Sequence, residues 1–507
     1  MGNTKKGKVW LVGAGPGDAS LMTLKGREIL ESADTVVYDA LVGEGVLAMM
    51  PPDAELIYVG KRSGRHTVSQ DGINRILLEE ALKGKTVVRL KGGDPFLFGR
   101  GGEELELLTE NGIEYGIVPG VTSAFSVPAY AGIPVTHRDY CSGVSVVTGH
   151  RKKDGSLDID FDALVRTGDT LIFMMSVSSI GIIAEGLISA GMDPDTPAAI
   201  VEKGTTSQQR VLSTVLGKLH ETAVNERAVA PSVIVVGGVA DLSDRFAWRQ
   251  FLPLSGVRAI VTRPKELSSG LASMLREKGV EVTELPAIAI KPIENNTALK
   301  EAIIKLKDGL YQWIVLTSPS GVRVFIEELL GTCDVRTLAS CRIAAIGRGT
   351  EKELAKYGLR ADMIPSVYDG RTLGKELKQL VKEGEHVLIP RAAIGNHELI
   401  EELSEVSGIV IDDIATYDTV YVKQEWFDAG KAFDQAGTYA VFTSASTVKG
   451  FVNSYPDADC SKIKAVCIGR MTAAEAEKHG MTVFVSEEAT LGSLVNKLIS
   501  VSKGQEI

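Results

Sequence analysis

Asp94 and Arg100 are the charged residues inside a loop that is otherwise built for close approach. Five positions of Lys91-Gly-Gly-Asp-Pro-Phe-Leu-Phe-Gly-Arg-Gly-Gly-Glu103-Glu104, namely 92, 93, 99, 101 and 102, are glycine. Glycine tolerates positive φ and lets a backbone come close to a ligand. Such a loop can receive a ligand, with Asp94 and Arg100 as its charged groups, although a tight structural turn is the better account of the loop alone. Gly13-Ala-Gly-Pro-Gly-Asp18 is a second glycine-rich loop. Further on, Thr317-Ser318 and Thr443-Ser444 place paired hydroxyls before helical stretches. Ser and Thr there are ordinary helix caps, but the same hydroxyls and N–H groups suit carboxylates at helix N-termini. The five cysteines (141, 333, 341, 460, 467) form no C-x-x-C pair and imply neither a metal site nor a disulfide framework.

The elements that must position these residues are alternating strands and helices. Thr86 to Leu90 is an apolar β-branched run, and Glu103 to Leu108 reads as a helix. The loop 91–104 therefore joins strand to helix, where open α/β sheets bind ligands. Lys8 to Val12, Thr35 to Tyr38, Leu56 to Val59 and 113–118 read as further strands, with helices at 21–32, 70–83 and 102–111. The start looks like a dinucleotide-binding unit, since Asp39 ends the second strand. However, the third glycine of G-x-G-x-x-G is replaced by Asp18, and Pro16 lacks an N–H, which disfavours a nicotinamide enzyme. A second set of strands follows at 143–148, 169–175, 198–202 and 232–236, and the break at 138–143 predicts two lobes with a cleft. Ala247 to Gly256 reads as a short, partly packed linker.

Beyond it the chain repeats itself. Ile260-Val-Thr-Arg-Pro264 returns as Leu388-Ile-Pro-Arg-Ala392, Leu316-Thr-Ser-Pro-Ser-Gly-Val322 as Phe442-Thr-Ser-Ala-Ser-Thr-Val448, and Ala345-Ile-Gly-Arg-Gly-Thr350 as Cys467-Ile-Gly-Arg-Met-Thr472. Two similar α/β units are expected to face each other across a cleft. A length of 507 residues predicts about three domains. The net charge of −10 disfavours bulk nucleic-acid binding. No apolar run reaches the ~18 residues of a membrane span, and no secretory leader is visible, so free thiols in the cytoplasm are expected.

Seven motifs occur in order: 12–18, Val36-Val-Tyr-Asp39, Val59-Gly-Lys-Arg62, 91–104, Val118-Pro-Gly-Val-Thr122, Gly132-Ile-Pro-Val-Thr-His-Arg-Asp139 and Thr148-Gly-His150. Together they resemble uroporphyrinogen-III C-methyltransferases of the tetrapyrrole methylase family over residues 7–248, with lobes at about 7–138 and 142–248. The resemblance implies S-adenosylmethionine as methyl donor, held at Pro16, Gly92, Gly93, Asp94, Leu97, Thr122, Ser123, Met175 and Gly204. Asp94 would accept from the amino-acid end of the donor, and Met175 would be a soft wall for its base. It further implies methylation of uroporphyrinogen III at C2 and C7 to precorrin-2, a precursor of sirohaem and cobalamin. A pyrrole carbon takes the methyl group, Asp39 accepts the proton that leaves a pyrrole nitrogen, and Lys61 donates or orients. Lys61, Arg62, Arg65, His66, Arg100 and Arg138 are candidate partners for the substrate's carboxylates; Arg151-Lys-Lys153 reads as a solvated loop. A homodimer through this domain is implied by the resemblance alone.

Residues 256–502, carried by the paired T-S and I-G-x-x-T loops and Ile414-Ala-Thr-Tyr-Asp-Thr-Val420, resemble uroporphyrinogen-III synthase. The implied fold is two flavodoxin-like α/β domains, one discontinuous (about 256–288 with 421–502) and one continuous (about 289–420). The implied reaction is cofactor-free closure of hydroxymethylbilane with inversion of ring D, a lyase step. Tyr417 would hydrogen-bond the departing hydroxyl. Thr317, Ser318, Gly347, Ser444 and Thr472 would bind substrate carboxylates. The expected whole is a bifunctional enzyme of small-molecule tetrapyrrole synthesis with neither metal, nucleic acid nor membrane as partner; the alternative keeps the methyltransferase and makes the second half a non-catalytic tetrapyrrole-binding module.

Overall fold

The computed structural model describes residues 6–60, 68–150, 156–395 and 397–504, without the side chains of 265–269. The chain forms two compact units. One comprises Met1–Leu285, Gln424–Val448 and Asp457–Ile507; the other comprises Pro286–Lys423 and Lys449–Pro456.

In the first unit β1 (Lys8–Gly13), β2 (Thr35–Tyr38), β3 (Glu55–Tyr58), β4 (Thr86–Lys91) and β5 (Glu114–Val118) make a parallel sheet in the order β3-β2-β4-β1-β5. Its inner strands are near-continuous apolar runs because both faces are covered. Leu90 and Val118 pack on one side, and Leu11 and Val87 on the other.

The second sheet contains β6 (Val144–Thr148), β7 (Thr170–Met174), β8 (Pro197–Glu202), β9 (Arg210–Val215) and β10 (Ser232–Val236), ordered β6-β7-β10-β8-β9. Only β6 and β7 run parallel; the remaining pairs are antiparallel. The βα repetition expected there is broken after β8, where the chain turns straight back as an antiparallel hairpin into β9. The edge strand β9 was not expected, because polar Arg210, Ser213 and Thr214 interrupt its apolar run, as suits an edge with one face in water. The linker holds a 3-10 turn, Trp248–Phe251. Trp248 packs edge-on against Tyr130 and donates to Ala129 O (3.0 Å), while Phe251 is 79% exposed.

The third sheet begins with β11 (Arg258–Val261) and β12 (Glu281–Glu284). The chain then forms β13 (Ile288–Pro292), β14 (Trp313–Leu316), β15 (Arg342–Ala345), β16 (His386–Ala392) and β17 (Val410–Tyr421) of the second unit. It returns for β18 (Thr438–Phe442), β19 (Lys464–Cys467) and β20 (Thr482–Val485). The third sheet is parallel in the order β12-β11-β18-β19-β20, the flavodoxin-like 2-1-3-4-5.

The sheet of the second unit runs β13-β17-β16-β14-β15, parallel except for β13 against β17. Matching the repeated motifs puts β16 in the place of β11, β14 in that of β18 and β15 in that of β19. Met363, bridged in parallel to Ala344, occupies the fifth position. The two sheets thus share one spatial order, and the chain enters the second of them at a different strand.

Candidate functional site

The loops after β1, β4 and β5 meet at the carboxyl edge of the first sheet. Ala14 N donates to Lys91 O (2.7 Å), Gly93 N to Gly15 O (2.7 Å) and Gly15 N to Gly93 O (3.2 Å). A Cβ on Gly120 would stand 2.1 Å from Gly93 O, and one on Gly13 2.5 Å from Gly120. Glycine at 13 and 120 therefore answers backbone against backbone. Gly92 answers the protein too, since a Cβ there would stand 2.5 Å from Leu41 Cβ. Gly93, with φ 68° and nothing nearer than 3.9 Å, is the position whose bare backbone is open.

Asp94 is already engaged. Its Oδ1 accepts from Phe96 N (2.8 Å) and Leu97 N (3.1 Å), and its Oδ2 from Gly120 N (3.0 Å). The carboxylate pins its own turn to the loop after β5, so its first task is to shape the loop; Oδ1 has taken two bonds, and Oδ2 has acceptor capacity left over. Thr122 caps the helix Ser123–Tyr130 by accepting from Ala124 N (3.2 Å). Leu97 packs against the cluster of Ala124, Val127 and Val201.

Gly204, after β8, lies against Val127 of that helix, and Asp18 N donates to Thr205 Oγ1 (3.1 Å). Contacts thus join the loops that carry Pro16, Gly92 to Asp94, Leu97, Thr122, Ser123 and Gly204. Met175 stands at the end of β7, 51% exposed. Among the described residues, seven non-glycine residues have positive φ; four of them (Phe98, Arg100, Lys203, Thr205) lie in or next to these loops, and Met175 is a fifth. Such residues cost about 1–3 kcal/mol each and gather where structure serves binding.

Asp39, at the end of β2, is backed by charges that no local pattern announces. Arg89 of β4 is 3% exposed and donates through Nη2 to Asp39 Oδ2 (3.0 Å). Its Nη1 binds Leu90 O (2.9 Å). Leu41 N donates to Asp39 Oδ1 (3.1 Å). Behind Arg89 lies Glu104, fully buried, whose Oε1 accepts from Lys91 Nζ (2.6 Å), Arg89 Nε (3.3 Å) and Gln70 Nε2 (3.3 Å). Burial pulls the Lys91 ammonium below the usual lysine range, and the Arg89 charge adds to this. The one sequence signal for this network is an arginine in an otherwise apolar strand run. Arg100 pairs with Glu103 on the surface through Nε (2.9 Å). Arg138 is exposed. Lys61, Arg62, Arg65, His66 and Arg151 to Lys153 lie outside the described residues.

In the second unit Ser318 caps the helix Pro319–Leu330, its Oγ accepting from Gly321 N (2.9 Å), and stands 2.9 Å from Tyr417 Oη. Ninety-nine residues of separation close into one contact between the carboxyl end of β14 and the interior of β17, level with the end of β16. Burial raises the phenol of Tyr417 above the ordinary tyrosine value, and the Ser318 bond pulls it back. Thr317 precedes that cap. Gly347 opens the helix Arg348–Ala355, where a side chain would strike the Tyr368 ring. In the first unit Ser444 follows β18 and shares a hydrogen bond with Ser446 (2.8 Å). Thr472, 4% exposed in the first turn of Arg470–Lys478, is buried. Its backbone, rather than its hydroxyl, is what this helix end offers a carboxylate. Among the described residues, no group of three or more His, Cys, Asp or Glu side chains can hold a metal, and no helix is long and apolar enough to cross a membrane.

Comparison with known proteins falls on both parts. Residues 8–220 match the model of tetrapyrrole (corrin/porphyrin) methylases, and residues 269–496 that of uroporphyrinogen-III synthase HemD. A porphyrin biosynthesis protein HemD of Ruminiclostridium josui is 44% identical over 500 residues, 98% of this chain and 99% of that protein. A uroporphyrinogen-III C-methyltransferase of Bacillus subtilis is 38% identical over 362 residues, 71% of this chain and 74% of that protein. The crystal structure of a Thermus thermophilus uroporphyrin-III C-methyltransferase complexed with S-adenosyl homocysteine is 39% identical, covers 46% of this chain and 93% of its own, and has a TM-score of 0.40.

Proposed function

Because the chain belongs to the tetrapyrrole methylase and uroporphyrinogen-III synthase families, joined in one polypeptide of tetrapyrrole biosynthesis, we propose that it makes uroporphyrinogen III from hydroxymethylbilane and methylates it at C2 and C7 to precorrin-2, in the cytoplasm. The observation that carries the methylating half is the meeting of loops 13–18, 91–97 and 118–123 beside Asp39, whose carboxylate Arg89 holds from within.

The residues present fit S-adenosylmethionine. Gly93 offers open backbone, and Leu41, Phe96 and Met175 offer exposed apolar surface for a base and a sulfonium. When bound, the donor supplies an electrophilic methyl group. The chain's own contribution is alignment and exclusion of water. Asp39 takes the proton leaving a pyrrole nitrogen, and Arg89 keeps the accepting oxygen aimed. Asp94 shapes the cradle from within its loop. Asp94→Ala frees loop 94–97 from Gly120, so calorimetry should show S-adenosylhomocysteine binding weakened by about tenfold, the range of a charge-assisted bond set, with bilane cyclisation unaffected.

For the second half, Tyr417 and Ser318 form a hydroxyl pair able to share a proton with a departing hydroxyl, while helix starts at Ser318, Gly347 and Ser444 supply N–H groups for carboxylates. The deciding test is anaerobic incubation of the intact chain with hydroxymethylbilane and S-adenosylmethionine. The expected product spectrum is that of precorrin-2. If the recovered macrocycle is only the type I isomer of uncatalysed closure, the synthase assignment fails and the second half is a binding module.

A further inference from the structure

Loop 203–209 holds a conformation that its own residues do not favour. Lys203 and Thr205 flank Gly204 with φ of 44° and 69°. Backbone of this kind persists only where the surroundings over-determine it. Some of the restraint is local to the first two sheets. Thr205 N donates to Gln209 Oε1 (2.8 Å), Gln209 Nε2 to Tyr130 O (2.9 Å) and Asp18 N to Thr205 Oγ1 (3.1 Å).

Arg249 of the linker adds bonds to Gln209 Oε1 (3.3 Å) and Thr206 O (3.4 Å), and Ser207 is held from the third sheet. Glu281, the first residue of β12, accepts through a single oxygen from Ser207 N (2.7 Å) and Ser207 Oγ (2.6 Å). Gln435 Nε2 donates to the same hydroxyl (3.0 Å), and Arg258 Nη1 donates to Gln435 Oε1 (3.2 Å). Arg258, buried, also pairs with Glu44, five residues beyond Asp39. A carboxylate 74 residues downstream, inside the part that matches the synthase model, thus clamps a loop of the methylase part.

We propose that Glu281 is a positioning residue for the methyl-donor site, holding loop 203–207 in the form in which Gly204 meets the donor. The proposal rests on the donor reading given above for Gly204. Its physical content is a population. Released from Glu281, the loop samples relaxed conformations, and apparent affinity falls by the fraction that remains competent. The methylase part of this chain therefore depends on the synthase part for its cofactor affinity, and the dependence runs through the bonds at Ser207, two of them to Glu281 and one from Gln435, rather than through shared stability.

The test uses the full chain. Calorimetry with S-adenosylhomocysteine is expected to show about tenfold weaker binding for Glu281→Ala and about threefold for Glu281→Gln, which keeps an acceptor but not its charge. KM for S-adenosylmethionine should rise by the same factors with kcat within about twofold, since only the competent fraction changes. Bilane cyclisation should hold its rate. Ser207→Ala, which removes one of the two donors and leaves β12 untouched, is expected to weaken binding about twofold to threefold. Binding by the parent chain with no change in any variant overturns the proposal alone. Absence of binding by the parent overturns the donor reading and the proposal with it. Loss of cyclisation in step with binding also overturns the proposal, since it marks general collapse.

Discussion

Asp39→Asn is expected to lower methylation kcat by about 10²–10⁴-fold, the range of a lost general base, while binding of S-adenosylhomocysteine and bilane cyclisation stay as they were. The substitution keeps shape and removes charge. Leu41 N retains an acceptor at position 39, so the turn survives, and the donor loops do not pass through this residue. In the proposed role, what changes is the group that takes the pyrrole proton. Arg89 holds one carboxylate oxygen at 3.0 Å from a side chain that is itself fixed by Leu90 O and Glu104. The carboxylate proposed as base is thereby restricted in orientation before substrate arrives, which is where alignment contributes to rate. Single-turnover rates under anaerobic conditions separate chemistry from product release. A variant within about tenfold of the parent, below the lower bound for general base catalysis, would show that another group takes the proton.

Glu104→Ala is expected to destabilise the first unit by about 3–5 kcal/mol, the cost of breaking a buried ion pair from one side. Glu104 is fully buried, and its Oε1 collects Lys91, Arg89 and Gln70. Its loss leaves two cations inside the sheet with Asp39 as the remaining carboxylate in contact with Arg89. The deficit should depend on pH in a set direction. Burial, then the Arg89 charge, already depress the proton affinity of Lys91 in the fold below its value of 10.5 in the open chain. Between those two values the unfolded state binds more protons, so stability rises with pH. Without Glu104 the depression deepens, and the variant should recover part of its deficit as pH approaches the ordinary lysine value. Urea midpoints of parent and variant at several pH values read this directly. A variant within ~1 kcal/mol of the parent would show that the two cations find other partners or solvent, against the usual cost of such a break.

The strands of the first lobe were legible because apolar runs punctuated by glycine loops have one common meaning in α/β chains. Identity at a position was easier to read than the reason for it. The glycine pattern marks Gly92 as ligand-facing, yet Leu41 is what excludes a side chain there. The loop's pattern marks Asp94 as an acceptor for a ligand, yet three backbone N–H groups claim it first. Local sequence shows which loop is special and not which of its atoms are already bonded. Arg89 was visible only as an anomaly in an apolar run, because its partners lie 50 and 15 residues away. Thr472 matched Thr350 in the repeat, and both are buried, so that match reflects packing at a helix start. β9 escaped because an edge strand with one wet face lacks the signal that the central strands carry.

The chain's departure from the third sheet and return to it fixes an order of events during folding. β11 pairs with β18 across nearly 180 residues, as the bond from Thr262 Oγ1 to Val441 O shows. At ~5–20 residues per second of synthesis, β11 waits about 10–40 s on the ribosome for its neighbour. Closure of so long a loop from an open chain opposes pairing through chain entropy. The inserted unit removes most of that opposition by itself, since β13 and β17 lie antiparallel and Val422 N donates to Ala287 O (3.1 Å). Once it folds, its two ends leave side by side, and the distance that β18 must search shrinks from a random coil to a hairpin's width. The last domain to be completed is therefore the one begun earlier, and a truncated product ending within the insert would leave β11 as an open edge, able to template association with another chain.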